Sequence, residues 1–314
     1  MWSNQRESEM TEKPLVSVII NCYNGEKYLR EAIDSVIAQT YENWELVFWD
    51  NQSTDSTREI VESYKNPKIR YFYAPEHTPL GEARNLAVEK ANGEYINFLD
   101  ADDVWSANKL EEQVKLIVPG EVELVYTPFK LKLEGNVDEH MIEVFFQLFT
   151  LQDKRVADYN VLLKSNFIVF SSVLLKKELY KEIGGINKDF RQYEDYELLL
   201  KCSLLTKFAI EKNSYVKYRI HGSNSSSDNR GVGYKELDQI LRSLPESWDR
   251  NIALKKNKAC QIWSLYKSKV LAANDFINYC LCGGFFWIML VMKEKMIRNI
   301  IYRINRGKIR FLFA

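Results

Sequence analysis

The sequence predicts an α/β fold, in which helices cover both faces of a mostly parallel central sheet. Two features carry this prediction. Short apolar runs rich in β-branched residues alternate with amphipathic segments from Leu15 to Tyr126, and this alternation is typical of a helix-covered parallel sheet. Polar residues follow the first, second and fourth runs. They would therefore meet at the carboxyl edge of the sheet, where open α/β folds bind ligands.

Strands and helices are predicted in alternation through the first part of the chain. The strands are short apolar runs that end in turn residues, at 15–20, 45–49, 69–73 and 95–99, with a further strand at 123–126. The helices have apolar residues at amphipathic spacing, within 29–37, 60–64, 83–91 and 110–117. Ser56 and Glu59 have the spacing of a capping box at the start of the second helix.

The pattern changes in the second half of the chain. A segment at 166–172 precedes a predicted helix, an apolar helix begins at Glu194 and Asp195, and a strand is predicted at 215–221. Because the helix dipole favours carboxylates in a first turn, helix capping is a sufficient explanation of this acidic pair on sequence grounds alone. Residues 222–234 are rich in Ser, Asn and Gly and predict a mobile loop of the kind that can cover a site.

Composition and charge argue against several classes of protein. The formal net charge of the 314 residues is zero, so no overall basic field indicates a nucleic-acid partner. The five cysteines are odd in number and include no Cys-x-x-Cys pair, which argues against a disulfide framework and a zinc site. Residues 1–13 are polar and predict a disordered leader rather than a signal peptide. These features favour a reduced, cytoplasmic compartment.

The C-terminal region predicts contact with a membrane surface. Residues 276–292 form an uncharged run of 17 residues, shorter than the roughly 20 residues that a spanning helix needs. Seven Lys and Arg residues and one Glu follow between Lys293 and Arg310. A cationic segment with interleaved apolar residues is typical of a helix on an anionic membrane surface, so peripheral contact is predicted for 276–314. A buried helix followed by a solvated basic helix is the alternative.

Three carboxylates end the fourth predicted strand, at Asp100, Asp102 and Asp103. Clustered carboxylates repel one another unless a cation neutralises them. Oxygen ligands on a short turn suit Mg²⁺ or Mn²⁺, which keep waters and substrate phosphate oxygens as their other ligands. An acidic turn that caps the next helix explains the same residues without a metal. Taken alone, the cluster leaves both interpretations open.

Four motifs at the right spacing resemble those of the family 2 glycosyltransferases, which have the GT-A fold. The resemblance covers roughly residues 14–226, and it is specific because the motifs occur together. With the family's pattern in parentheses, they are Val16–Asn24 (V-S-V-I-I-P-T-Y-N), Asp50–Asp55 (D-D-G-S-T-D), Gly81–Asn85 (G-x-A-R-N) running on into Phe98–Asp103 (F-L-D-A-D-D), and Glu194–Asp195 (E-D) with Tyr218–His221 (Y-R-x-H).

The resemblance implies a nucleotide-sugar donor, expected to be a UDP-sugar, and a role for each matched residue. The transferred sugar would be a hexose or an N-acetylhexosamine, and the metal would be Mg²⁺ or Mn²⁺. The implied roles are donor-nucleotide binding by Asn24, Asp50, Arg84 and Asp100, metal binding on the diphosphate by the DXD-type residues Asp102 and Asp103, proton abstraction from the acceptor by Asp195, and a place beside the diphosphate or acceptor for Glu194 and His221.

The resemblance also predicts how the chain is divided. Residues 14–226 would form a GT-A catalytic domain, with a nucleotide-sugar-binding half at 14–127 and an acceptor half at 128–226. Residues 227–314 would form a helical, basic C-terminal extension. The expected place of the protein is the inner face of the cell membrane.

Departures from the family's pattern refine the expected activity. Asn51 stands where the family has a second Asp, and Asn21 and Cys22 replace Pro and Thr. The segment 239–243 lacks the Trp of the Q-x-x-R-W motif of processive synthases. We therefore expect inverting transfer of one sugar per encounter, to a saccharide or lipid-linked saccharide acceptor in bacterial surface polysaccharide assembly.

Two other classes remain open on the sequence alone. A sugar nucleotidyltransferase also combines a metal with a Rossmann-like sheet, but it favours a glycine- and lysine-rich loop that residues 21–27 do not supply. A catalytically inactive GT-A sugar-binding module is the second alternative. The presence of both Asp102 and Asp195 argues against it.

Overall fold

The structure is a computed structural model, and it describes residues 13–135, 157–222 and 230–267, together with residues 284, 287–289 and 292. Most of the predicted leader lies outside the described residues. The same is true of most of segment 276–314.

Ten strands and nine helices are found in the described residues. The strands β1 to β10 are Val16–Cys22, Trp44–Asp50, Ile69–Tyr73, Tyr95–Phe98, Val104–Trp105, Leu124–Tyr126, Phe129–Leu133, Val173–Lys176, Phe208–Ile210 and Val216–Ile220. The helices α1 to α9 are Leu29–Ile37, Thr57–Glu62, Leu80–Lys90, Lys109–Ile117, Tyr159–Leu162, Lys177–Glu182, Glu194–Leu205, Arg230–Ser243 and Trp248–Lys267.

Seven strands form the central sheet in the order β3-β2-β1-β4-β8-β6-β9. Strands β3, β2, β1 and β4 are parallel, and β6 is parallel to β9, whereas β8 is antiparallel to both of its neighbours. A smaller sheet has the order β5-β10-β7. The chain crosses from β3 to the far side of β1, so the strand order reverses between β1 and β4, and ligands bind beyond the carboxyl ends at such a point.

Both faces of the central sheet are buried, which explains why its strands are apolar along their length. In β1, Ile19 packs into one core cluster, while Val18 and Ile20 pack into the other, because successive side chains of a strand point to opposite faces. Helices α1, α2 and α4 cover the face of Val18, and α3, α6 and α7 cover the face of Ile19. The sheet and its helices thereby fix the loops at the strand ends.

The predicted strands are confirmed, with bounds that differ by two residues or fewer. The predicted capping box is wrong. Ser56 makes no capping hydrogen bond, and the carboxylate of Asp55 accepts the N–H of Thr57 over 3.0 Å instead. Oε2 of Glu26, rather than the side chain of Glu59, accepts the N–H of Ser56 over 3.1 Å.

Two further predictions for the second half of the chain need correction. Strand β8 lies between residues 166–172 and the helix that follows them, because its apolar run pairs with both β4 and β6. The predicted loop at 222–234 is too long, since residues 230–234 belong to α8. Residues 223–229 lie outside the described part of the chain.

The two C-terminal helices pack on the rest of the fold. Ile240 and Leu241 of α8, and Leu244 just after it, join the core cluster that also contains residues of α7. Arg250 of α9 donates from Nε to the main-chain oxygen of Leu241 over 2.7 Å, so it satisfies a carbonyl near the end of α8. Within the described ranges, no helix has both the length and the hydropathy that crossing a membrane requires.

Candidate active site

The loops that follow β1 and β2 are joined through Asn24. This residue has a φ of 55°, in the left-handed region that Asn enters more readily than most residues. Its N–H donates to Oγ of Ser53 over 2.9 Å, and its Oδ1 accepts the N–H of Thr54 over 2.8 Å. Asn24 therefore holds the two loops together at the edge where the donor site is predicted.

Asp50, the last residue of β2, is fully buried. Its Oδ1 accepts the N–H of Ser53 and its Oδ2 accepts the hydroxyl of Tyr71, each over 2.7 Å. Burial, followed by the bond to Asp50, raises the pKa of Tyr71. Each carboxylate oxygen carries a second lone pair, so both oxygens of Asp50 have acceptor capacity beyond these two bonds.

Asn51 fixes the segment that follows β3. Its Nδ2 donates to the main-chain oxygen of Thr78 over 2.7 Å, and its Oδ1 accepts the N–H of Thr78 over 3.2 Å. The main-chain oxygen of Asn51 lies 2.8 Å from Nδ1 of His77, and the His77 ring packs edge-on against Tyr23, with centroids 4.6 Å apart. An amide supplies both the donor and the acceptor here, which a carboxylate cannot do.

In the acidic turn after β4, the carboxylates of Asp100, Asp102 and Asp103 point in different directions. Asp103 is 1% exposed, and its Oδ1 accepts the N–H of Arg219 over 3.0 Å. Burial, with the charges of Asp102 and Asp100, raises the pKa of Asp103 well above its ordinary value. The carboxylates of Asp100 and Asp102 are partly exposed at the edge of the sheet. Asp103 thus anchors the turn to β10, and the other two carboxylates are accessible.

Asp102 meets His221 at the end of β10. Oδ2 of Asp102 lies 2.9 Å from Nε2 of His221. The imidazole packs against the ring of Tyr28, with centroids 4.8 Å apart, and the guanidinium of Arg219 lies over the same ring. Nε of Arg219 donates to the main-chain oxygen of Asp102 over 2.7 Å. The position of the Asp102 carboxylate is therefore fixed from both its main chain and its side chain.

The pair of Asp102 and His221 fits a divalent cation that also binds a diphosphate. Among the described residues, no group of three or more His, Cys, Asp or Glu side chains is arranged to hold a metal ion by itself. Mg²⁺ in phosphate-binding sites takes one or two carboxylates together with substrate oxygens and waters, and Mn²⁺ accepts oxygen ligands of the same kind. A partly exposed carboxylate beside an imidazole meets this requirement once a diphosphate supplies further oxygens.

Arg84 connects the acidic turn with the first turn of α7. Its guanidinium is 4% exposed, with Nη2 at 2.9 Å from Oδ1 of Asp100 and Nη1 at 3.0 Å from Oε1 of Glu194. The ring of Phe170 lies beneath it, 4.7 Å away. The structure therefore brings together three of the predicted site residues that are distant in sequence. Arg84 holds the other two in place from within the protein.

Asp195 follows Glu194 in the first turn of α7 and is partly buried. Burial, and then the negative charge of Glu194, raise the pKa of Asp195 from 3.8 to about 7, while Arg84 opposes the rise. Burial also raises the pKa of Glu194 itself. A carboxyl group with a pKa near neutrality is suited to exchange a proton at physiological pH. Burial and mutual charge therefore suit this pair to proton exchange as well as to helix capping.

The acidic turn and Asp195 lie around one side chain, that of Tyr218 in β10. Burial raises the pKa of Tyr218 well above 10, and the charges of Asp103, Asp100, Asp102 and Asp195 raise it further. A charge shifts the pKa of another group mainly over short distances, because solvent screens it further away. The carboxylates from the two halves of the chain therefore share one neighbourhood.

Several residues that build the site carry no predicted role from the sequence. Arg219 lies within the matched Tyr-Arg-x-His motif, so the motif itself is a signal for it. Asn51 is visible as a departure from the family's pattern. Tyr28 and the helix α8 residue Glu236 have no sequence signal, because their roles depend on contacts across the fold.

A comparison with families identifies the chain. The model of "Glycosyl transferase family 2" matches residues 17–184, more than half of the chain. The chain therefore belongs to glycosyl transferase family 2, and its fold is the GT-A fold. This assignment confirms the resemblance to the family, although the fourth motif, at 194–195 and 218–221, lies beyond the matched residues. It favours a glycosyltransferase over the nucleotidyltransferase alternative.

Two relatives and one solved structure show how similar the chain is to individual glycosyltransferases. The chain is 31% identical over 273 residues to a glycosyltransferase of Haemophilus influenzae, covering 85% of this chain and 98% of that protein. It is 30% identical to the UDP-Glc:alpha-D-GlcNAc-diphosphoundecaprenol beta-1,3-glucosyltransferase WfgD of Escherichia coli, covering 71% of this chain and 82% of that protein. The structure of S. aureus TarS 1–349 with UDP-GlcNAc has a TM-score of 0.61 and 21% identity, over 78% of this chain and 71% of that chain.

Proposed function

We propose that the chain is an inverting glycosyltransferase that moves one hexose or N-acetylhexosamine from a UDP-sugar to a saccharide or lipid-linked saccharide acceptor. The Arg84 bridge is the observation that carries this proposal, because it joins the turn of Asp100 and Asp102 to the helix of Asp195. A single displacement needs a site for the leaving nucleotide and a base for the acceptor. The bridge ties these two parts to one framework.

Asp195 is the proposed general base. It would take the proton from the acceptor hydroxyl as that oxygen attacks the anomeric carbon, a contribution typically worth about 10²–10⁴ in rate. Its pKa of about 7 leaves a large fraction ionised at neutral pH and makes it a stronger base than an ordinary Asp. One base and one displacement from the face opposite the leaving group give inversion at the anomeric carbon.

Asp102 and His221 are the proposed metal-holding residues, so His221, predicted only as a neighbour of the diphosphate or acceptor, takes the place of Asp103 beside Asp102. A bound Mg²⁺ or Mn²⁺ would act there as a Lewis acid that stabilises the charge of the departing diphosphate. The predicted second metal ligand, Asp103, has its Oδ1 bonded to the N–H of Arg219, so we propose a supporting role for it. Arg219 in turn holds the main chain of Asp102.

The donor nucleotide is proposed to lie along the ends of β1, β2 and β4. Asp50 would accept a hydrogen bond from the base, and Asp100, whose side chain is 37% exposed, would contact the ribose. Asn24 holds together the loops that follow β1 and β2 at this edge of the sheet. The solved TarS structure contains UDP-GlcNAc, which supports a UDP-sugar as the donor.

The acceptor and the cellular place are proposed from the relatives and the C-terminal tail. The WfgD name specifies a diphosphoundecaprenol-linked acceptor, and the cationic run between Lys293 and Arg310 suits the anionic inner face of a cell membrane. We therefore propose a role in bacterial surface polysaccharide assembly, with a catalytic domain at 14–226 and a membrane-contacting extension at 227–314. Binding of the full chain to anionic vesicles, and not to neutral ones, tests the membrane contact.

Activity with a defined set of donors tests the function. We expect the purified chain, with Mn²⁺, to release UDP from at least one of UDP-glucose, UDP-galactose, UDP-GlcNAc and UDP-GalNAc, and to transfer that sugar to a synthetic GlcNAc-diphospholipid. The anomeric configuration of the product, read by NMR, tests inversion. An Asp195→Asn variant that transfers as fast as the wild type would contradict the proposal. Donor binding without any transfer would favour an inactive sugar-binding module.

A further inference from the structure

Three consecutive backbone N–H groups converge on one carboxylate just before α7. Oε1 of Glu236 accepts the N–H of Arg191 over 2.8 Å, and its Oε2 accepts those of Gln192 and Tyr193 over 3.0 and 3.2 Å. Successive backbone N–H groups that point to one side form a concave anion-binding site. Here the anion is a side chain of the same protein, 43 to 45 residues further along the chain.

Glu236 lies beyond the residues that the family model matches, and so do the loop 191–193 and Asp195. The match ends at residue 184, and Glu236 lies in α8, in the proposed extension. The side chain is 6% exposed, and Ile240 and Leu241, one turn further on, are fixed in the central core cluster. Glu236 is therefore held at a set position relative to the core and to α7.

Helix α8 approaches the loop 191–193 closely at one further point. A Cβ atom added to Gly233 would lie 2.8 Å from Oε1 of Gln192 and 3.0 Å from Cε2 of Tyr193. These distances are too short for an ordinary contact. The absence of a side chain at Gly233 thus leaves room beside α8 for the side chains of Gln192 and Tyr193.

The loop held by Glu236 leads directly into the proposed base. Tyr193 is the residue before α7, and Glu194 and Asp195 are the first two residues of the helix. Any shift of Tyr193 would move this first turn. It would alter both the 3.0 Å contact of Glu194 with Arg84 and the direction of the Asp195 carboxylate. A misplacement of about 1 Å can cost roughly 100-fold in rate when a catalytic group must be aligned with its substrate.

We propose that Glu236 is a positioning residue for Asp195, through which the C-terminal extension sets the geometry of acceptor activation. This inference rests on the proposed function. It assigns α8 a part in the transfer step, while the donor side of the site is built by β1, β2 and β4. Its effect should therefore appear in kcat and leave the donor KM nearly unchanged.

The Glu236→Gln variant tests the inference with little change in volume. Glutamine presents one acceptor oxygen, and its NH₂ group would face at least one of the three N–H donors. We expect kcat to fall about tenfold, the donor KM to change less than about twofold, and the amides of 191–193 to exchange hydrogen faster. Asp238→Asn is the matched control, because Asp238 pairs with Arg242 within α8 on the exposed side. It should behave as the wild type.

A second variant approaches the same contact from the other side. Gly233→Ala leaves Glu236 intact but pushes on Gln192 and Tyr193, so it should also lower kcat selectively. Circular dichroism and UDP binding, measured for each variant, show that the fold and the donor site are retained. If one of the two variants, Glu236→Gln or Gly233→Ala, fails these checks, the other is compared with the wild type instead.

The outcomes separate the inference from the function on which it rests. A wild type with no transfer from any of the four donors overturns the proposed function and this inference with it. If the wild type is active and Asp195→Asn is not, the function stands. The inference is then overturned if Glu236→Gln lowers kcat less than threefold, or if it lowers kcat and donor affinity equally. A larger fall in kcat at an unchanged donor KM supports it.

Discussion

The Oδ2 atom of Asp102 lies 2.9 Å from Nε2 of His221, although 119 residues separate them in the sequence. The turn after β4 carries the first residue, and the end of β10 carries the second. Arg219 strengthens this junction, because its N–H is bonded to Asp103 and its Nε to the main chain of Asp102. Each half of the chain thus contributes one ligand to the proposed metal position.

Replacing His221 with Ala should weaken donor binding only when a metal is present. The variant removes one of two proposed ligands, so we expect the affinity for UDP in the presence of Mn²⁺ to fall at least about tenfold, roughly 1.4 kcal/mol. Affinity without Mn²⁺ should stay close to that of the wild type. Isothermal titration calorimetry with and without the metal measures both quantities. An equal loss of affinity under the two conditions would show that His221 supports the fold and does not hold a metal.

The rate of transfer should depend on the ionisation of Asp195. Its pKa is raised to about 7 by burial and by Glu194, against the opposing effect of Arg84, and only the ionised form can accept a proton. At saturating donor and Mn²⁺, kcat should therefore rise with pH up to about 7 and then level off. A profile of kcat between pH 5 and 9 measures this. A plateau that extends down to pH 5 would contradict the assignment of Asp195 as the base.

The same raised pKa predicts a change in stability. A carboxyl group whose pKa rises from 3.8 to about 7 on folding binds its proton more tightly in the folded state, so its contribution to stability is lost as the pH rises through this range. Asp195→Asn removes the ionisation. We expect the variant to gain in Tm relative to the wild type as the pH is raised from 5 to 8. Thermal unfolding at the two pH values measures the difference, and a constant difference would contradict the cause given for the shift.

The sequence predicts the sheet well because buried parallel strands are apolar throughout and end in turn residues. It fails at β8, where a run of the same kind, Val173 to Lys176, turns out to be an antiparallel strand between β4 and β6. Whether a short apolar run joins a sheet depends on pairing with distant segments. Local composition does not contain that information.

In the candidate site, too, local sequence motifs predict some features, and contacts between distant segments determine the others. Motifs indicate Asp102, Asp195 and Arg84, since each lies in a short recognisable sequence pattern. The internal role of the Arg84 guanidinium, between Asp100 and Glu194, follows only from how the fold brings α3, the turn after β4 and the start of α7 together. No local pattern in the sequence could give it.

Replacing Arg84 with Met should destabilise the fold. The change leaves Glu194, itself 5% exposed, without its cationic partner, and breaking a buried ion pair costs about 3–5 kcal/mol. Urea denaturation measures the free energy of unfolding. Arg58→Met is the control, since Arg58 forms an exposed pair with Glu62, and its denaturation midpoint should not change. Equal midpoints for Arg84→Met and the wild type would show that the bridge does not stabilise the protein.

Replacing Asn51 with Asp, the residue typical of the family at this position, should weaken donor binding in this chain. The Asn51 amide donates to the main-chain oxygen of Thr78 and accepts its N–H, so an Asp would set a negative oxygen against a carbonyl oxygen. Loss of one buried hydrogen bond costs about 1–3 kcal/mol. The segment that holds His77 against Tyr23 should loosen, and the donor KM should rise about fivefold or more at a nearly constant kcat.

Asn66→Asp provides the matched control for this substitution. Asn66 uses only its Oδ1, which accepts the N–H of Lys68 over 3.0 Å, and a carboxylate can make the same bond. Steady-state kinetics with varied donor should therefore separate the two variants. The effect of Asn51→Asp should appear in KM, because Asn51 belongs to the proposed donor-nucleotide side of the site and not to the proposed base or metal position. A fall in kcat at a constant KM would instead assign Asn51 to the transfer step.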